Sequence, residues 1–158
     1  MNKSKLPVVF GIGIAVVLIL TFLIFASFGL HTNPIYSLIN GVFMAYGMFL
    51  SVKMYKKEKG NLFKYEKGFV ATFLTGLNAT IIFTIFFALY GSMIEPDYIS
   101  VMLGNWSSHY NTPEGLVVFV VFVMGMATTM VLTLAFMQLF KPSWNTHQAK
   151  PKIELGSI

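Results

Sequence analysis

The sequence predicts an all-α membrane protein: a four-transmembrane-helix bundle with short interfacial helices and both termini on the cytoplasmic side. Three observations predict it. Four stretches, 7–30, 35–54, 69–94 and 116–140, come close to or exceed the roughly 20 mostly apolar residues that cross a bilayer core. Only 11% of the 158 residues are charged, 56% are hydrophobic, and the mean hydropathy is +0.71. A water-solvated domain carries about 25% charged residues, so this surface suits lipid. Finally, all eleven basic residues are lysines in alternate connectors, and the chain has no arginine.

That lysine pattern sets the threading. Lys3 and Lys5 precede the first span. Lys53, Lys56, Lys57, Lys59, Lys64 and Lys67 lie between the second and third, and Lys141, Lys150 and Lys152 come after the fourth. Short cytoplasmic loops are enriched in Lys and Arg, which puts these three segments inside. The Gly29–Pro34 turn and the Gly91–Glu114 connector carry no lysine and face outward. The expected organisation is one membrane domain over residues 1–142 and a polar cytoplasmic tail over 143–158, in a bacterial cytoplasmic (inner) membrane.

Span one is almost purely aliphatic and aromatic, a surface that can face lipid over much of its length. Its apolar part exceeds the roughly 7–15 residues of a signal-peptide core, so it reads as a retained span. His31-Thr32-Asn33-Pro34 is a tight turn, with Pro34 suited to the first turn of the next helix. Span two is the least apolar. Its Asn40, Gly41, Ala45 and Gly47 predict packing inside the bundle, where small residues let backbones approach.

In the inner connector Gly60 is the expected helix stop and Asn61 the expected N-cap of the next helix. Leu62, Phe63, Tyr65 and Phe69 alternate with Lys64, Glu66 and Lys67, the composition of an interfacial segment. Span three carries Thr72, Gly76, Thr80, Thr84, Ala88 and Ser92 at four-residue intervals. This small-xxx-small row predicts a helix-packing interface in which threonine hydroxyls bond across it or back to their own helix. The row does not say whether its neighbour is in the same chain.

In the outer connector Tyr98, Val101, Met102 and Trp106 recur at helical spacing, which predicts an amphipathic helix on the outer interface. Thr112-Pro113-Glu114 reads as N-cap, N1 and N2 of span four. That span has its own partly small face at Gly125, Thr128, Thr129 and Thr133, and Lys141-Pro142 ends it.

From Gly60 to Met102 runs a lysine-rich loop, then Phe63-x-Tyr65-Glu66-Lys67-Gly68-Phe69, a Thr/Gly-rich span, and Pro96-Asp97-Tyr98. This order resembles a family of small four-span membrane proteins from Bacteroidota-type bacteria, catalogued as a domain of unknown function. The four-span layout extends the likeness to about Phe140. The resemblance implies the fold. It brings no activity, cofactor or catalytic residue.

Function is narrowed by what the spans omit. Apart from Lys53, one residue inside the end of the second span, no acid, histidine or lysine lies between the span ends, whereas embedded proton relays use such residues. No nucleophile is paired with a base, so no catalytic residue is named and the chain reads as a non-enzyme. Cysteine is absent, which removes disulfides and thiolate metal sites. The methionines have no embedded histidine to pair with across a haem, so they read as packing residues and no cofactor is expected. His31, Glu95, Asp97, His109 and Glu114 are metal-ligand types, but their spacing matches no metal motif and no metal site is assigned. Asn40, Asn78 and Gln138 read as interhelical hydrogen-bonding groups. The net charge of +5 sits beside the membrane and does not imply nucleic acid.

The lysines from Lys53 to Lys67 are the candidate contact for anionic lipid headgroups or an acidic partner. The expected partners are the bilayer and another integral membrane protein, or a second copy of the chain. The function expected is that of an accessory or scaffold subunit. The alternative is a carrier or flippase-like protein for a lipid or lipid-linked sugar.

Overall fold

The computed structural model describes residues 5–30, 34–94 and 114–141. It is all-helical over that range: α1 (Leu6–Ser27), α2 (Pro34–Lys59), α3 (Tyr65–Leu89) and α4 (Glu114–Leu139). All four are long and apolar enough to cross a membrane, and the protein is a multi-pass membrane-type bundle. The expected amphipathic element at Tyr98–Trp106, the Thr112-Pro113 cap and the tail lie outside the described residues.

The chain ends each helix by recognisable means. Gly29 takes φ +67° after α1, and Leu30 N–H donates to the Phe25 carbonyl while Gly29 N–H donates to Ala26. This is a Schellman-type stop; only glycine enters that backbone region without steric cost. It ends α1 at Ser27, three residues before the apolar run ends.

At the other end α2 continues to Lys59, so Lys53 to Lys59 extend a helix and do not form a loop. Lys56, Lys57 and Lys59 thereby occupy its last turn, where positive charge suits the helix dipole. Gly60, at φ +48°, is the stop that the sequence suggests. A 3-10 turn comes next over Gly60–Leu62, and Phe63 is extended. The expectation of Asn61 as N-cap is corrected: Lys64, in extended backbone, occupies that position without a side-chain cap. Asn61 is instead consumed by the 3-10 turn. α3 then begins at Tyr65, four residues ahead of the apolar run, and closes in a π-helical turn at Tyr90–Ile94.

α3 is the central helix and packs against each of the other three. α2 touches all three as well, but α1 and α4 have no helix-to-helix contact. The cross-section is therefore a rhombus, with α2 and α3 across its short diagonal. α1 runs parallel to α3: Gly11 abuts Thr75 and Asn78, while Phe22 packs eleven residues later against Phe86. α4 runs antiparallel to α3, with Met137 beside Gly68, Thr129 beside Gly76 and Gly125 beside Thr80.

Two apolar clusters fill the interior. Ile14, Leu18, Met44, Met48 and Ala79 form one; Phe22, Phe87, Tyr90 and Val117 form the other. Phe22 meets Phe83, Phe86, Phe87 and Tyr90 edge-on, with centroids 5.0–6.2 Å apart. Such edge contacts align a ring's positive rim with its neighbour's negative face. The expectation that span two packs inside holds for one stripe only, Met44, Met48, Ser51, Val52 and Tyr55. Gly47 meets Ile14 of α1, but nothing lies within 4 Å of where a Gly41 Cβ would stand.

Candidate functional site

Two polar features stand out in a bundle otherwise filled with hydrocarbon. The first is a seam of hydroxyls between α3 and its neighbours. Thr72, Thr75, Thr80 and Thr84 of α3 are buried, as are Ser51 of α2 and Thr129 and Thr133 of α4. Thr75 Oγ1 donates to the Ala71 carbonyl at 2.9 Å and lies 3.0 Å from Ser51 Oγ. With the Thr75 proton so used, Ser51 is the donor across α2 and α3. Thr80 Oγ1 and Thr129 Oγ1 lie 3.3 Å apart across α3 and α4. Thr72 returns its proton to the Gly68 carbonyl at 2.8 Å. A threonine that bonds to its own helix still presents lone pairs to a neighbour.

Glycine makes these contacts sterically possible. A Cβ on Gly76 would stand 2.5 Å from Thr129 Cγ2, and one on Gly125 would stand 2.6 Å from Thr80 Cγ2. Both distances are below contact, so each threonine fills the notch of a facing glycine. Of the span-three row, Thr72, Gly76, Thr80 and Thr84 lie inside the bundle. Ala88 is half-buried, and Ser92 is exposed with its hydroxyl donating to the Ala88 carbonyl. Thr84 Oγ1, Thr133 Oγ1 and Asn40 Oδ1 are buried without a hydrogen-bond partner among the described residues.

The second feature is the lysine-bearing end. The start of α1, the end of α2, the start of α3 and the end of α4 come together there. That places Lys5, Lys53, Lys56, Lys57, Lys59, Lys64, Lys67 and Lys141 at one end of the bundle. Lys56 Nζ lies 5.9 Å from the Phe63 ring centre and 5.4 Å from that of Phe140, within the range of a cation–π contact. It thus joins α2, the turn and the end of α4. Phe63 also meets Tyr55 edge-on and fills the space beside Gly68. Phe49 packs on Phe136 and Phe140 just below. Lys59 Nζ donates to Glu58 at 2.8 Å and lies over the Tyr55 ring. Lys53, Lys57, Lys64 and Lys67 are exposed.

The span-three row and the lysine set are thus separate: one lines the interior, the other crowns one end. Other interior residues went unremarked in the sequence. Ser51, Phe49 and Phe22 carry no spacing signal of their own, because each is a single residue whose partner lies on another helix. Among the described residues no three His, Asp or Glu side chains gather as a metal site would need. His31, Glu95, Asp97 and His109 lie outside the described residues, and Glu114 opens α4.

The amino-acid pattern that builds α1, α2, α3 and the connector after it matches a family described as protein of unknown function (DUF4199), over residues 9–109. The chain belongs to DUF4199. No curated protein and no solved structure matches it. The family match stops short of α4, so the threonine and glycine face of α4 that completes the seam lies beyond the DUF4199 pattern.

Proposed function

We propose that the protein is an accessory or scaffold subunit of a larger membrane complex in a bacterial cytoplasmic membrane, with both termini inside. One observation carries this reading. The described interior is packed with Thr, Gly, Met and Phe, and no acid, histidine or lysine lies within it. Proton-coupled transport and acid–base chemistry rely on such groups, so what this bundle offers is surface. The orientation rests on the lysine-bearing end under the positive-inside rule. Thr72, Gly76, Thr80 and Thr84 pack within their own bundle, which leaves the outward helix faces as the contact offered to a partner.

Purification from native membranes in mild detergent, with mass spectrometry of the eluate, tests the reading. A second membrane protein should co-purify in fixed ratio. Recovery of the chain alone at every expression level overturns it.

The lysine-bearing end favours a second reading, a carrier for a lipid or lipid-linked sugar. Lys56 is already held between two rings, and the exposed lysines beside it can meet a phosphate. Each lysine near an anionic surface contributes about 1 kcal/mol of attraction. Changing Lys56, Lys57 and Lys64 together to Gln should reduce lipid retained in native mass spectrometry while insertion is preserved. Unchanged retention removes this reading.

A further inference from the structure

We propose that the exposed face of α2 centred on Tyr46 is the interface through which two copies of this chain pair in the membrane. Tyr46 is 63% exposed, on a stripe with Ile35, Ile39 and Val42. It lies twelve residues from Pro34 and seven from Lys53, the first lysine of the helix. At 1.5 Å per residue, about 18 Å and about 10 Å of helix separate it from the two ends of the apolar stretch. Helical side chains lean toward the N-terminus, so the phenol points away from the nearer, lysine-bearing end and deeper into hydrocarbon.

The hydroxyl makes no hydrogen bond with the described residues. The contrast with other outward hydroxyls is direct. Thr21, Ser27, Ser92 and Thr128 each donate to a carbonyl of their own helix. A tyrosine hydroxyl is too far from its backbone to do so. Acyl chains offer it no acceptor, and an unsatisfied polar group in hydrocarbon is costly. The large side chains exposed on the other helices near this depth, such as Val16, Ile81 and Val123, are hydrocarbon.

A second copy supplies what is missing. Both copies insert with their lysines on one side, so a two-fold axis along the membrane normal sets α2 parallel to its partner. Tyr46 then meets Tyr46 near the axis; one phenol donates and the other accepts. Val42 and Phe43, also exposed, flank the rings with apolar contact. A two-fold interface is self-complementary by construction, and a residue that can both donate and accept suits it.

The chain has no cysteine, so single cysteines report the contact cleanly. In native membranes, Tyr46→Cys should form a disulfide-linked dimer under mild oxidation at least about ten times more than Leu20→Cys on α1 or Val131→Cys on α4. Equal cross-linking at all three positions overturns the proposal. The purified full chain in liposomes should also show two-step photobleaching, and Tyr46→Phe should weaken that association about 3- to 15-fold, the worth of one interhelical hydrogen bond in a membrane. A monomeric wild-type chain in liposomes overturns the proposal and leaves the face to a different membrane protein. Unchanged association of Tyr46→Phe overturns it equally, since the hydroxyl would then not be part of the contact.

Discussion

The two long seams of α3 are built from different materials. Against α1 it presents rings: Phe22 is surrounded by Phe83, Phe86, Phe87 and Tyr90. Against α4 it presents notches and hydroxyls: Gly76 receives Thr129, Gly125 receives Thr80, and the two threonines meet. Lipid is as apolar as leucine, so neither seam gains much from hiding hydrocarbon as such. The aromatic seam gains from area and edge geometry, whereas the threonine seam gains from close backbone approach and directional bonds. The parallel seam has one notch of its own, where Gly11 of α1 abuts Asn78 and the Thr75 carbonyl, so the contrast holds along its aromatic half around Phe22.

Four substitutions and one control test that contrast, and all can be read by helicity during unfolding in mixed detergent micelles. Phe22→Ala should cost the most, about 3 kcal/mol, because one side chain touches four rings and leaves a cavity. Gly76→Val should cost about 2 kcal/mol by driving a side chain into Thr129 and Met48. Gly13, with open space around it, is the control; Gly13→Val should stay within about 0.5 kcal/mol. A Gly76→Val loss no larger than that of Gly13→Val would remove the notch as a determinant.

The smallest effects separate bonded from unbonded hydroxyls. Thr129→Val should cost about 1 kcal/mol, since Thr80 loses its partner across the seam. Thr133→Val should be neutral or stabilising by up to about 1 kcal/mol, because Thr133 Oγ1 is buried without a partner. Equal losses at both positions would show that shape, not hydrogen bonding, governs the α4 seam.

Much of this was legible in the chain. Hydropathy marks four spans because hydrocarbon demands about 20 apolar residues in a row. The lysines sort the connectors because charge stays at the membrane surface. Gly60 reads as a stop because a glycine after a lysine-rich helical stretch permits the left-handed turn seen there. The row Thr72–Gly76–Thr80–Thr84 reads as a contact face because a four-residue period keeps one side of a helix small.

The rest was decided by folding. Whether that row met its own bundle or another chain depended on α4, whose Gly125 and Thr129 are more than forty residues away in sequence. Phe22 is one phenylalanine among sixteen until three-dimensional packing sets four rings around it. Lys56 differs from Lys57 only because the α2 end, the turn at Phe63 and the α4 end converge on it. Tyr46 became informative only when its helix face proved to be outward. The sequence determined which segments span and where charge stops, because the bilayer acts on each segment by itself. Tertiary structure decided neighbours, because contacts between helices depend on pairs of surfaces that no single segment contains.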